Sequence, residues 1–291
     1  LAPSGRSQPG APVARLGSTD LPADSFAQSP AGAIRLSHPM ATIAYLGPEH
    51  TNTHLAALKR FGAQGRYVHA PTVEDVFQVV ERRRADYGVV PVENSLEGAV
   101  THTLDRFIDF QDSPARIHGE LELQIQHHLV FQAKATLGSI GVVYSHPQAL
   151  AQCRPWLTKH VPHAELAETN STAEAVYEIS RAAASARWLP SQRAAIARAV
   201  LAKAFKLRHL AIPEERMNKT RFLILGLGEP RRGRRNKTSI LFALKDRPGA
   251  LHDALVPFKM NKINLTKIES RPSKRKAWEY LFFIDVEGHE S

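Results

Sequence analysis

The stretch Thr42-Ile43-Ala44-Tyr45-Leu46-Gly47-Pro48-Glu49-His50-Thr51 decides the architecture of this chain. An apolar run of strand length meets a Gly-Pro turn, and a helical segment follows at once to Phe61. Leu55, Leu58 and Phe61 recur on one side of that helix, and Gly62 is placed to stop it. The strand–loop–helix unit then repeats. Thr72 with Asp75 opens a helix running to about Arg84, and Tyr87–Val92 is a short apolar strand ending at Glu93-Asn94-Ser95. Gly141–Tyr144 is another strand, closed by Ser145-His146, with Pro147 suited to a first helical turn. Asn170-Ser171-Thr172-Ala173-Glu174 starts a further helix, and Phe222–Leu225 is a late strand. Such alternation predicts an α/β sheet that takes ligands at the carboxyl ends of its strands.

Downstream, the basic run Arg231-Arg232-Gly233-Arg234-Arg235-Asn236-Lys237 interrupts the pattern, which then restarts. Thr238–Leu244 reads as a strand, Ala250–Asn261 as a helix, and Ile263–Glu269 with Trp278–Val286 as a hairpin turning at Arg271-Pro272-Ser273-Lys274-Arg275-Lys276. Pro257 falls inside that helix, where it should cost roughly 3 kcal/mol or kink it. Upstream, residues 1–40 are rich in Pro, Ala, Ser and Gly with Phe26 as the only aromatic, so disorder is expected. Met40 stands just before the first strand and is a candidate start, which makes residues 1–39 an extension. The expected organisation is a disordered extension at 1–40, an α/β domain at 41–228, a basic linker at 229–237 and a smaller α+β unit at 238–291.

The 291 residues give room for about two domains. A hydrophobic fraction of 43% and a charged fraction of 23% are ordinary for a globular protein. No run approaches the roughly 18 apolar residues of a membrane span, and the opening lacks the pattern of a secretory signal. Cys153 is the only cysteine, so no internal disulfide or cysteine metal cluster can form; a cytoplasmic protein with a buried Cys153 is expected. The net charge of +10 raises nucleic acid as a partner. The basic run carries no interleaved aromatics and no reading helix, so it is read as a solvated linker, with neither nucleic acid nor membrane as partner. His50 and His54 lie four apart without a third ligand or an HExxH pattern, so no metal is expected. Gly226-Leu227-Gly228 is too short a fragment to imply a nucleotide cofactor.

Three polar clusters fall where strands end: Gly47–Thr51, Glu93–Ser95 and Asn170–Thr172. The first and third lead into helices, whose free N–H groups and positive dipole ends favour anions. Each also fits a plain capping role: Ser171 with Glu174 as a capping box, Thr51 or Asn52 as an N-cap. Physics alone predicts an anion-binding α/β domain.

From Ile43 to Leu225 the chain resembles the prephenate dehydratase family. The resemblance rests on Tyr45-Leu46-Gly47-Pro48-Glu49, Pro91-Val92-Glu93-Asn94-Ser95, Ser145-His146-Pro147-Gln148-Ala149-Leu150-Ala151-Gln152-Cys153, Asn170-Ser171-Thr172-Ala173-Glu174-Ala175-Val176 and Asn218-Lys219-Thr220-Arg221-Phe222. It implies a type II periplasmic-binding-protein-like fold, two α/β lobes with the site between them. The implied reaction takes prephenate to phenylpyruvate, losing carbon dioxide and the ring hydroxyl; aromatisation drives it and no cofactor is needed. It assigns catalysis to Thr220 at the leaving hydroxyl, Arg221 as a bidentate grip on a carboxylate, with a structural ion pair as its alternative role, and Phe222 as the floor. Gly47, Pro48, Thr51, Glu93, Asn94, Ser95, Asn170, Ser171 and Thr172 are the substrate-binding candidates. The chain departs from the family at His50 and Arg198, where small residues are usual, and over the basic stretch Lys203–Arg208.

The C-terminal unit resembles an ACT domain, through Pro248-Gly249-Ala250-Leu251 and Glu269-Ser270-Arg271-Pro272. It implies L-phenylalanine as effector at Gly249, Ala250, Leu251, Glu269, Ser270, Arg271 and Pro272, and assembly as a homo-oligomer where the domain is intact. His252 stands where that motif has an aliphatic residue. The family pattern is ferredoxin-like, β-α-β-β-α-β, and only β-α-β-β is read here, so the domain is expected to be incomplete and phenylalanine inhibition weak. Arogenate dehydratase and a non-catalytic amino-acid sensor on the same fold are the alternatives.

Overall fold

The computed structural model describes residues 14–20, 40–109, 113–181, 187–213, 218–273 and 279–289. The chain enters the first lobe at β2 (Thr42–Leu46), α1 (Asn52–Phe61), β3 (Arg66–Ala70), α2 (Val73–Glu81), β4 (Tyr87–Asn94), β5 (Gly98–Ala99), α3 (Thr101–Asp109) and β6 (Ala115–Gln124). It crosses to a second lobe of β7 (His128–Phe131), β8 (Val142–Ser145), α4 (Pro147–His160), β9 (Glu165–Glu168), α5 (Thr172–Ser180), β10 (Arg193–Ala197), α6 (Ala199–Ala204) and β11 (Arg208–Ala211). It returns as β12 (Lys219–Leu227) beside β6 and β4, and ends in β13 (Asn236–Ala243), α7 (Ala250–Met260), β14 (Leu265–Pro272) and β15 (Tyr280–Glu287).

The second lobe is thus inserted between β6 and β12, and its sheet runs β11-β7-β10-β8-β9. The two crossing segments hold each other: Ile125 N–H donates to Asn218 O at 2.8 Å and Ile212 N–H to His127 O at 3.0 Å. Within each lobe the sheet is covered on both faces. In the first lobe α2 and α3 pack Val76, Phe77, Val80 and Phe107 on one side, and α1 packs Ala56, Ala57 and Phe61 on the other. The α1 face is rotated from the expected one, because Ala56 and Ala57 are fully buried while Leu55 and Leu58 are only half-buried. In the second lobe every residue of β10 is buried, as a central strand between two helix layers requires. Cys153 lies in this core.

The last four elements form a β-α-β-β unit whose strands run β14-β15-β13. Leu241, Leu281 and Phe283 join the first-lobe core, so this sheet is packed onto the α/β domain. Helix α7 continues through Pro257, whose missing N–H falls on an exposed turn, while Pro257 O accepts from Asn261 N–H at 3.0 Å. Lys237, expected in the solvated linker, opens β13 and is buried against Glu120.

Residues 14–20 depart from the disorder expected of them. They form β1 (Ala14–Asp20), antiparallel to β13 from Ala14↔Leu241 to Asp20↔Asn236, with Asp20 opposite Gly119 of β6. Composition argues against such a segment building a core, but pairing with a free sheet edge needs only the backbone groups every residue carries. The rest of the 1–39 extension, and the hairpin tip at 274–278, lie outside the described residues.

Gly88 shows how tightly α2 sits on β4: a Cβ there would lie 2.9 Å from Val76 Cγ1 and 3.0 Å from Val80 Cγ2. Gly88→Ala should therefore lose about 1–3 kcal/mol to overpacking, read as a lowered urea midpoint.

Candidate active site

Strands β4 and β12 run antiparallel with Thr220 opposite Asn94 and Arg221 opposite Glu93. Directly opposed residues share a face, and successive residues alternate, so one pair is committed to each side of the sheet. Thr220, Phe222 and Asn94 line a cleft of about 970 Å³ between the lobes. Arg221 and Glu93 emerge on the opposite side.

In the cleft, Asn94 is oriented without ambiguity. Its Oδ1 accepts from the N–H groups of Leu96 and Glu97 at 2.9 and 3.3 Å, which leaves Nδ2 to donate. Nδ2 donates to Thr220 Oγ1 at 3.0 Å and to Asn218 Oδ1 at 2.8 Å. Asn218 Nδ2 donates to Gln152 Oε1 at 2.9 Å, and Gln152 Nε2 to Glu97 Oε1 at 2.5 Å. This chain runs from the second-lobe helix α4 across the hinge to Thr220. The threonine hydroxyl is already an acceptor and, among the described residues, donates to no protein atom. Its proton is left for whatever occupies the cleft.

The first-lobe wall is the Gly47–Thr51 turn. Gly47 takes φ +84°, a conformation open to glycine, and its N–H donates to Ala70 O at 2.8 Å. Thr51 caps α1, accepting from His54 N–H at 3.3 Å while its hydroxyl donates within the turn to Leu46 O and Pro48 O. His50 adopts a positive φ of 66°, and its N–H donates to His54 Nδ1 at 2.9 Å. The His54 ring stacks on Tyr45 at 4.5 Å. Burial, reinforced by His50, holds the His54 pKa below its ordinary value, so it remains neutral near pH 7. Burial also pushes the Tyr45 phenol up to about 12.

The facing wall is Asn170-Ser171-Thr172, which lines the same cleft. Here the capping box is realised: Ser171 Oγ accepts from Glu174 N–H at 3.0 Å, and Glu174 Oε2 accepts from Asn170 N–H at 2.8 Å. A glutamate thus already occupies part of the helix N-terminus expected to face an anion.

Three expected contacts are elsewhere. Arg221 does not reach the cleft. Its guanidinium, with 12% of the side chain exposed, meets Asp285 at 2.7 Å, Glu93 at 3.2 Å and Glu120 at 3.4 Å. Burial works against its charge, but Asp285, Glu120 and Glu93 together outweigh that and raise its pKa. Glu93 belongs to this cluster and also pairs with Lys267 of β14 at 3.2 Å. Ser95 is structural as well: its Oγ accepts from Lys219 N–H at 2.9 Å and its N–H donates to Lys219 O, pinning the end of β4 to the start of β12.

Asn218 and Gln152 were not singled out from sequence, although both sit inside quoted motifs. Asn218 carried a usable signal, because counting back by two from Thr220 places it on the cleft face. His127, His146 and Tyr177, also in the lining, carried none.

Among the effector candidates, Gly249 takes φ +78° at the α7 N-cap, with Ala250 and Leu251 in the first turn. Glu269, Ser270, Arg271 and Pro272 end β14. Arg271 is engaged, its Nε and Nη2 donating to Asp105 of α3 at 3.1 and 3.0 Å. Among the described residues no cluster of His, Cys, Asp or Glu could hold a metal ion, and no helix is long and apolar enough to cross a membrane.

A two-lobed α/β cleft of the type II periplasmic-binding-protein kind, followed by a ferredoxin-like ACT module, defines the class. Prephenate dehydratase family sequences match residues 43–230 and ACT domains match residues 238–291, and the chain belongs to the prephenate dehydratase family. It is 48% identical over 251 residues to a bifunctional chorismate mutase/prephenate dehydratase of Aquifex aeolicus, covering 85% of this chain and 66%, just under two thirds, of that protein. It is 36% identical over 253 residues to the prephenate dehydratase of Lactococcus lactis, covering 85% of this chain and 87% of that one. The solved prephenate dehydratase of Arthrobacter aurescens in complex with L-Phe superposes with a TM-score of 0.75 at 32% identity, over 86% of this chain and 81% of the other.

Removing the Arg221 charge leaves Asp285 without its cation, while Glu93 keeps Lys267 and Glu120 keeps Lys237; breaking a buried pair typically costs about 3–5 kcal/mol. Arg221→Met is expected to lose stability on that scale in chemical denaturation, while Thr220→Ala stays within about 1 kcal/mol of the parent.

Proposed function

We propose that the cleft converts prephenate to phenylpyruvate, with Thr220 at the departing ring hydroxyl. The observation that carries this reading is the Asn94 amide, which donates to Thr220 Oγ1 while the hydroxyl's own proton is left for a ligand. In the reaction the bond between the ring and its carboxylate breaks and carbon dioxide leaves. The freed electron pair enters the ring, and the carbon–oxygen bond at the opposite ring carbon breaks. The leaving oxygen departs with the hydroxyl's own hydrogen and needs one more proton to become water. Threonine is a weak acid, so its hydroxyl is suited to stabilising the charge that develops on the departing oxygen, with solvent completing the proton balance. Aromatisation supplies the driving force, and Phe222, 1% exposed and part of the cleft lining, gives the ring an apolar floor.

Arogenate, in which an amine replaces the keto group, is a second reading with an observation of its own: Glu97, Glu174 and Glu178 line the cleft and suit an ammonium. L-Phenylalanine is inferred as effector at Gly249–Leu251 and Glu269–Pro272, supported by the motif match and by the L-Phe complex of the Arthrobacter protein. We likewise infer a homo-oligomer formed through the ACT sheet and a cytoplasmic enzyme, the latter consistent with a single buried cysteine.

Assayed side by side without added metal, the purified chain should form phenylpyruvate from prephenate faster than phenylalanine from arogenate. Thr220→Ala should lower kcat about 10²-fold or more, and Thr220→Ser should recover part of it. A Thr220→Ala variant as active as the parent removes Thr220 from the reaction.

A further inference from the structure

With Arg221 buried behind β12, the cleft proposed above lacks an evident cation for a substrate carrying two carboxylates. Of the basic side chains at its walls, Arg181 lines the cleft but is 70% exposed and pairs with Glu178 at 3.1 Å. The acidic side chains Glu97, Glu174 and Glu178 make the need greater. A doubly charged anion entering a partly desolvated space must meet compensating charge, or its desolvation goes uncompensated.

Arg198 answers that need. It follows β10, whose parallel neighbour β8 ends at Ser145, and β8 pairs in turn with parallel β9, ending at Glu168. The carboxyl ends of these strands share one edge of the sheet, the edge from which His146 and Asn170 enter the cleft lining. Arg198 leaves at the same edge and reaches across to the first lobe, where its Nη1 donates to Asn52 Oδ1 at 3.3 Å. Asn52 is itself part of the cleft wall, beside Thr51. The guanidinium is half-buried, and among the described residues no carboxylate lies within ion-pair distance of it. Burial alone lowers its pKa, with no acid acting the other way, and it still remains charged. The side chain next to it is His128, whose own pKa is lowered by burial first and then by His209 and Arg198. A half-buried guanidinium held by one neutral amide, with four N–H donors to spare, has the charge and the geometry to take a carboxylate.

We propose that Arg198 is the cation that draws one substrate carboxylate to the Asn52 edge of the cleft, a specificity-determining residue in the role expected of Arg221. Because it bridges the lobes through Asn52, the bound carboxylate would also favour their closed arrangement. The inference rests on the proposed dehydratase reading.

The test measures kcat and KM for prephenate in the parent, Arg198→Lys, Arg198→Gln and Arg198→Ala, with circular dichroism to confirm folding. Gln keeps a donor to Asn52 without the charge, Lys keeps the charge, and Ala removes both. KM is expected to rise about 10-fold or more in Gln and Ala, with kcat changing less and Lys recovering most of the affinity. An unchanged KM in either folded neutral variant overturns the proposal, and so does a loss confined to kcat. Should neither neutral variant fold, a parent KM that does not rise with ionic strength overturns it instead. A parent that turns over neither prephenate nor arogenate brings down the dehydratase reading and this inference with it, whereas an active parent with KM-neutral variants brings down the inference alone.

Discussion

Strand β12 must satisfy two incompatible environments one residue apart, and the rest of the molecule is arranged around that constraint. Thr220 needs a wet, polar cleft, and Arg221 is driven by the strand's alternation to the other face, where it is buried. A buried guanidinium is tolerable only if its charge and most of its donors are met, and here Nε alone is buried without a hydrogen-bond partner among the described residues. Here Glu93 from β4, Glu120 from β6 and Asp285 from β15 meet them, and Lys237 and Ser239 complete the cluster through Glu120 and Asp285 at 2.6 Å each. The same cluster therefore fixes the back of the cleft-bearing strand and attaches the ACT sheet to it. A charge that sequence assigns to the substrate is spent on architecture.

On the cleft face, precision comes from amides. Two backbone N–H groups dictate which end of the Asn94 side chain faces Thr220, and that end can only donate. The direction from which Thr220 Oγ1 is approached as an acceptor is thereby settled, and its proton is left for the cleft. The continuation through Asn218 and Gln152 to Glu97 ties that direction to the relative position of the lobes, since Gln152 belongs to α4 and the others to the first lobe and hinge. Preorganisation of this type lets a poor acid contribute to a charged transition state, because the donor need not reorganise when charge develops.

What was legible in the sequence was local. The strand at Thr42–Leu46, the caps Thr51, Thr72 and Ser171, the stop at Gly62 and Pro147 at the start of α4 are all where turn and capping chemistry placed them. Strand β6 went unread because its ten residues, with Gly119 and charged positions among the apolar ones, acquire their meaning from pairing with a strand a hundred residues later. The period of β12 was readable too, but not which face held the cleft. Arg221 could be placed only by knowing that Asp285, 64 residues away, comes back to it. Glu93 fails for the same reason, being the cross-strand partner of Arg221. Strand β1 shows the opposite case, a segment with weak local preference ordered by an edge that exists only in the assembled sheet.

The two domains are joined at polar points that are also functional candidates, and this has an energetic consequence. Arg271 belongs to the effector motif and holds Asp105 of α3; Asp285 belongs to the ACT sheet and holds Arg221 behind Thr220. A ligand that recruits Arg271 must compete with Asp105, and any shift of β15 relative to β12 disturbs a guanidinium that cannot be left unpaired. A ligand shifts such an equilibrium only by its differential affinity for the two arrangements. If an effector bound at the ACT unit is coupled to the cleft in this way, reciprocity requires that closing the cleft alter the effector's affinity by the same free energy. Arg221 thus sits where its neighbour Thr220 and a domain-spanning ion cluster share one strand, a placement that links the threonine's position to the ACT sheet through Asp285.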